Sequence, residues 1–266
     1  MTTSRFAIAA VCLSVAAAAV AQEMQPVTTV ASFHVKPGSA SDFMAVVEEM
    51  DVPVFDELMA SGAVLAWGLS TPVVHLPGQA SHSIWWTSSS IAQMDQVIAA
   101  FEAAEKRIAE ESPELFEKML GSVDFDRHGD EVLRDVVINV GDGQGPAPDD
   151  RPYTWVFTVK TKTGMEDEYL EAWKANFKPL MDDLVVKNLV NAYGVSVQAV
   201  QTNPDVSYSI WVSFSDFATY EKARLIYIAA RSELPEDVFE KTQAMLEPDG
   251  GRTYVYREEI FKTAGM

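Results

Sequence analysis

The chain is predicted to be α+β, built as two tandem β-α-β-β-α-β repeats whose sheets close on each other as an intramolecular α/β barrel. Three observations predict this. Sliding the sequence along itself by 126 positions aligns residues 30–94 with 156–220 without a gap and gives 17 identities in 65 positions. Ordinary residue frequencies would give roughly 4. A period this long is a duplicated domain, not an array of 20–50-residue units. Each copy also switches between β-rich runs and stretches of helical period in the same order. Finally, one such unit places both helices on one face of its sheet, so the other face needs a partner, which a second copy supplies.

The elements follow from local pattern. TTVASFHV is a β-rich run that ends at the turn signal Lys36-Pro37-Gly38. Ser41 or Asp42 can cap the helix after it, whose apolar stripe is Phe43, Val46, Val47, Met50, Val54 and Leu58. Pro53 and its match Pro179 interrupt both copies of this helix and predict a kink or a fresh start, and Gly62 stops the first copy. AVLAWGLSTPVVH and SHSIWWTSS read as two strands around Leu76-Pro77-Gly78. A second amphipathic helix carries Ile91, Met94, Val97, Ile98, Phe101 and Ile108. A short helix begins at Pro113, and at Pro235 in the other copy, since proline suits a first helical turn. LRDVVINV and TYVYREEIF close the copies as strands. This order is the split βαβ, or ferredoxin-like, unit.

The ends and the joint of the chain read differently. Arg5 followed by FAIAAVCLSVAAAAV and Ala19-Val20-Ala21 has the charged, apolar and small-residue regions of a secretory signal peptide covering 1–21. The protein is therefore expected to be periplasmic or secreted. The apolar run is shorter than the ~20 residues of a membrane span, and no later run reaches that length. The single cysteine, Cys12, lies in the signal, so disulfides, thiolate metal sites and cysteine catalysis are excluded from the mature chain. The first repeat occupies 27–140, a linker rich in Gly, Pro and Asp occupies 141–152, and the second repeat occupies 153–263. The formal net charge of −19 argues for solubility and against a nucleic-acid partner, which basic surfaces usually meet.

The unit order, the stretch Val35-Lys36-Pro37-Gly38 leading into the first helix, and the aromatic strands around Trp67 and Trp85 together resemble the dimeric α/β-barrel superfamily in a fused two-copy form. The resemblance covers nearly all of the mature chain and includes antibiotic-biosynthesis-monooxygenase and NIPSNAP-type proteins, with no motif that selects one member. It implies a fold and a place for a ligand, between sheet and helices or inside the barrel. It does not imply one activity, because members include cofactor-free monooxygenases, isomerases, polyketide cyclases and haem proteins.

Strand parity selects candidate residues, because alternate side chains face opposite sides. In the third strand, Ile84 and Trp86 (matched by Ile210 and Val212) are the apolar set expected under the helices. Ser83, Trp85 and Thr87 (Ser209, Trp211 and Ser213) are expected to face the partner sheet. In the first strand the corresponding polar set is Ser32 and His34 (Thr158 and Lys160). A lumen of Trp67, Trp85, Tyr193 and Trp211 with His34 and Lys160 suits a flat apolar or aromatic molecule carrying one polar group. The same aromatics could equally serve only to fill the barrel. All four histidines, His34, His75, His82 and His128, lie in the first copy, where the second has Lys160, Gln201 and Tyr208 at the first three matched places. His34 and His82 are the candidate bases, with Tyr208 a relay partner for His82. His82, however, falls in the helix-side parity set.

Two function classes follow. One is an exported barrel that binds a small apolar or aromatic molecule, or serves only as structure. The other is a cofactor-independent monooxygenase or isomerase with His34 or His82 as base and Trp85 and Trp211 as aromatic wall. Haem handling ranks behind both, because neither long helix carries a histidine to serve as axial ligand. No cofactor is therefore expected. The string Asp124 to Asp135 resembles an EF-hand loop at Asp124, Asp126 and Gly129, but it has His128 at the fifth position and a short Asp135 at the twelfth. It reads as an acidic turn with no metal expected, weak calcium binding outside the cell being the alternative. P-loop, dinucleotide, zincin and nucleophile-elbow motifs are absent. Arg134 and Arg257, matched in the last strands and each followed by an acid, are expected to be salt-bridged. The barrel is complete within one chain, so a monomer suffices, with a homo-oligomer as the alternative.

Overall fold

A computed structural model describes residues 26–141 and 151–263. The signal segment 1–21 and most of the linker lie outside the described residues. The first half runs β1 (Val27–Phe33), α1 (Ala40–Val46), α2 (Val52–Ala60), β2 (Val64–Pro72), β3 (His82–Ser88), α3 (Met94–Glu111), α4 (Pro113–Ser122) and β4 (Gly129–Asn139). The second runs β5 (Tyr153–Val159), α5 (Glu166–Asn176), α6 (Lys178–Val186), β6 (Ala192–Val200), β7 (Tyr208–Phe214), α7 (Phe217–Ser232), α8 (Glu236–Ala244) and β8 (Arg252–Thr263).

The proline interruption resolves differently in the two halves. A π-helical turn, Val47–Asp51, joins α1 to α2 without a break. In the second half the chain restarts at Lys178, with Pro179 in the first turn of α6. The turn geometry is shared. Gly38 and Gly164 both take left-handed backbone (φ 85° and 83°), and Gly62 is matched by Asn188, which also adopts it. Asparagine tolerates that conformation better than other side chains, which explains the one non-glycine substitution at a helix stop.

The eight strands form one closed antiparallel barrel in the order β1-β3-β2-β8-β5-β7-β6-β4. Each repeat contributes four neighbours, β4-β1-β3-β2 and β8-β5-β7-β6. Two seams join them, β2 to β8 and β4 to β6. Matched strands lie four places apart around a ring of eight and run in the same direction. The repeats are therefore related by a half-turn about the barrel axis. Closure removes every exposed sheet edge, which a single repeat would leave at both β2 and β4.

The helices cover the outside. Val47, Phe55, Leu58, Trp67, Leu69 and Ile84 centre the first outer core, and Trp173, Leu184, Tyr193, Val195 and Tyr208 centre the second. Trp67 stacks on Phe55 with centroids 4.5 Å apart, and Trp173 meets Tyr193 at 6.1 Å. Trp67 and Tyr193 are thus fully buried beneath helices, which corrects their expected place in the lumen. The physical reason is the pleat. Ala66, Gly68 and Ser70, with Ala192, Gly194 and Ser196, form the inward set of β2 and β6, so the large residues between them must point out.

Candidate functional site

The inward side chains of all eight strands surround a cavity of about 1560 Å³. Thr28, Val30 and Ser32 face it from β1, Ser83, Trp85 and Thr87 from β3, Thr154, Val156 and Thr158 from β5, and Ser209, Trp211 and Ser213 from β7. One mouth is apolar, with Leu65, Ile138, Val140 and Phe261. The other is polar and charged, with His34, Arg127, Lys160, Asp205, Glu247 and Arg252.

Small residues on β2 and β6 make room for the indoles. Gly68 lies opposite Trp85 in the β2–β3 register, and Gly194 opposite Trp211 in the β6–β7 register. A Cβ at Gly68 would stand 2.8 Å from the Trp85 ring and 2.8 Å from the Ile260 carbonyl oxygen, and one at Gly194 would stand 2.6 Å from the Trp211 ring. Each indole therefore lies flat across the glycine beside it. Gly194→Ala is expected to push Trp211 off its seat and lower stability by about 1–3 kcal/mol. Gly121→Ala, with open space around it on α4, is expected to raise stability by about 0.5–1 kcal/mol. Chemical denaturation of the two variants checks both signs.

From its seat each indole reaches a carboxylate at a seam. Trp85 Nε1 donates to Glu258 Oε2 at 3.0 Å, and Trp211 Nε1 donates to Asp135 Oδ1 at 3.0 Å. A serine directly across the seam donates to the same oxygen: Ser70 to Glu258 and Ser196 to Asp135, both at 2.6 Å. Glu258 also accepts from Thr154 Oγ1 at 2.9 Å on Oε1. Each Trp–Ser–carboxylate station thus draws its acid from one repeat and its tryptophan and serine from the other. Burial pushes both carboxyls above their usual range, and the hydrogen bonds only partly offset it. Along the same inward face of β8, Tyr254 and Tyr256 stack at 6.2 Å, and burial pushes the Tyr256 hydroxyl up to about 12.

Of the residues selected by parity, the structure gathers Trp85, Trp211, His34 and Lys160 around the lumen. His34 sits at the polar mouth, and burial there and Arg127 lower its pKa. Lys160 at the same mouth pairs with Asp205 at 2.9 Å. His82 and Tyr208 are elsewhere. His82 packs on Phe43 at 4.8 Å with Nδ1 3.0 Å from the Ser81 hydroxyl. Tyr208 donates to the Glu166 carbonyl at 2.7 Å. They lie on opposite outer faces, related by the half-turn, so the proposed relay between them does not form. Among the described residues no three His, Cys, Asp or Glu side chains come together as an ion site. In the EF-hand-like string, Asp135 turns into the lumen and His128 pairs with Asp130.

Sequence reasoning missed both carboxylates. The signal was present: at an offset of 123, Arg134-Asp135 matches Arg257-Glu258. On a strand, an arginine and the acid after it face opposite sides, which turns Asp135 and Glu258 into the lumen.

No protein-family model matches the chain, and no curated protein sequence matches it. Solved structures do. A Fusobacterium nucleatum protein proposed to be a monooxygenase superposes with a TM-score of 0.63 at 11% identity, covering 91% of this chain and 95% of that one. A Lactobacillus acidophilus protein proposed to be a monooxygenase gives 0.59 at 12% identity, covering 91% and 97%. An anthrone oxidase-like protein gives 0.54 at 11% identity, covering 92% and 96%. At these identities the likeness is one of fold.

Proposed function

Because the chain has the dimeric α/β-barrel fold with both halves in one polypeptide, we propose that its lumen is the site of a cofactor-independent enzyme acting on a flat, electron-rich aromatic molecule. The observation that carries this reading is the β4–β6 seam, where the half-buried carboxylate of Asp135, its pKa raised, stands beside the Trp211 face inside a large cavity. The volume exceeds the ~300–1,000 Å³ of ordinary ligand pockets, so a fused-ring compound fits. The indole face supplies stacking, and the carboxylate accepts the proton of an acidic O–H or C–H group. The resulting anion is electron-rich enough to react with dioxygen directly.

Anthrone, taken from the name of one structural neighbour, is the probe of choice. It would be converted to anthraquinone with one oxygen atom of O₂ retained and the other released as water. The test is to incubate the purified mature chain with anthrone in air and follow quinone formation and oxygen uptake. Both are expected above the rate without protein. Binding without turnover would favour a second reading, retention of an aromatic ligand without chemistry. That reading has its own support, since neither candidate histidine faces the centre of the lumen. No binding at all would overturn both. We place this activity in the periplasm or outside the cell on the strength of the signal segment. Fractionation, with a mature N-terminus at Gln22, tests the placement. No helix among the described residues is long and apolar enough to cross a membrane.

A further inference from the structure

The two stations descend from one ancestor and have diverged. At Glu258 both carboxylate oxygens are engaged, Oε2 by Ser70 and Trp85 and Oε1 by Thr154, and the residue is 3% exposed. At Asp135 both donors converge on Oδ1, and no described residue donates to Oδ2. One substitution and one redirected hydroxyl account for the difference. Aspartate is one methylene shorter. The residue matching Thr154 is Thr28, whose hydroxyl is 2.9 Å from that of Thr87 and is spent there instead. Asp135 is half-buried and lines the cavity.

We infer that the stations divide the work: Asp135 is the group that meets the ligand, taking a proton on Oδ2 from an aromatic hydroxyl stacked on Trp211, while Glu258 serves only to lock the opposite seam. This rests on the lumen being the ligand site. In the step, the ligand O–H bond breaks and its electron pair stays on the ligand oxygen. The proton forms a new O–H bond at Oδ2. Ser196 and Trp211 keep their bonds to Oδ1 throughout and so hold the carboxylate plane in place as positioning residues. Burial supports the assignment, since it makes Asp135 a stronger base than a surface aspartate. The surroundings carry few competing charges. Thr28 and Val30 face the lumen from β1, Gly194 and Ser196 lie on β6, and Ser209, Trp211 and Ser213 on β7. Glu131 is the other titratable lumen residue on β4, with Tyr254, Tyr256 and Glu258 on the far wall.

The test uses 2-naphthol, whose emission distinguishes naphthol from naphtholate and which, when excited in a water-poor site, gives its proton to a base in contact. Wild type is expected to show naphtholate emission from bound probe, lost as the pH falls through the titration of Asp135. Asp135→Asn is expected to bind the probe, read by quenching of tryptophan emission, and to show naphthol emission alone. Glu258→Gln is expected to keep the naphtholate signal while lowering the unfolding temperature. Ser70→Ala, a milder change at the same seam, gives the same readout should Glu258→Gln fail to fold. Naphtholate emission retained in Asp135→Asn, or a wild-type signal that does not change on acidification, would overturn the division of labour and leave the lumen reading intact. Absence of probe binding to wild type would overturn both.

Discussion

Trp67→Ala is expected to lower the free energy of unfolding by about 3–5 kcal/mol, the range for an emptied aromatic site in a core that cannot collapse. Trp67 has no exposed surface, stacks on Phe55 at 4.5 Å, and sits between β2 and the α2–α3 layer. Trp67→Phe should cost well under half as much. The indole N–H has no hydrogen-bond partner among the described residues, and an unsatisfied buried donor itself costs about 1–3 kcal/mol. Removing it offsets part of the lost packing. Trp211→Ala should behave differently, because that side chain is half-buried at the lumen wall beside Asp135. Its loss is expected to alter binding of aromatic probes more than stability. Urea denaturation of the three variants, with probe titration of the last, separates an outer-core tryptophan from a site tryptophan.

Asp51→Asn is expected to stabilise the protein, by an amount that grows from almost nothing near pH 4 to its full value above about pH 7. Asp51 ends the π-helical turn between α1 and α2, is 6% exposed, and receives no hydrogen bond from the described residues. Burial pushes its carboxyl up to about 7 from the ordinary 3.8. The sign follows from proton counting. Between those two values the folded protein holds a proton that the unfolded chain has released, so folding is helped by acid. The cost of burying the charge is fully present above about pH 7 and vanishes below the unfolded value. At 1.36 kcal/mol per pH unit the cost reaches about 4 kcal/mol, which is the upper limit of the gain from Asp51→Asn. Denaturation near pH 8 should show most of that gain, and denaturation near pH 4 almost none. A gain of equal size at both would overturn the account. The matched residue in the second half is Phe177, also 6% exposed, which shows that the position suits an apolar side chain.

Much of the architecture was legible because duplication exposes it. Paired glycines at 38 and 164, paired prolines at 53 and 179, and the repeated S-x-S-I-W mark the same places in both copies. Parity within a strand also told Trp85 and Trp211 from Trp86 and Val212. The same rule misplaces Trp67 and Tyr193 when large aromatics are read as the lumen; the smallness of Ala66, Gly68, Ala192 and Gly194 is what marks the inward face. His82 and Tyr208 have the chemistry of a proton relay, but their parity places them outside the barrel.

The sequence by itself determined the repeat, the order of elements and the in-or-out facing of most strand residues, since these depend on local period and on comparing the chain with itself. The tertiary structure alone decided which strands meet at the seams. Glu258 faces Ser70 across 188 positions of chain, and Asp135 faces Ser196 across 61. Register across a seam is set by closing the whole ring, with every strand's tilt and bulge contributing. No short stretch of sequence records it, and the two stations exist only where that closure brings the repeats together.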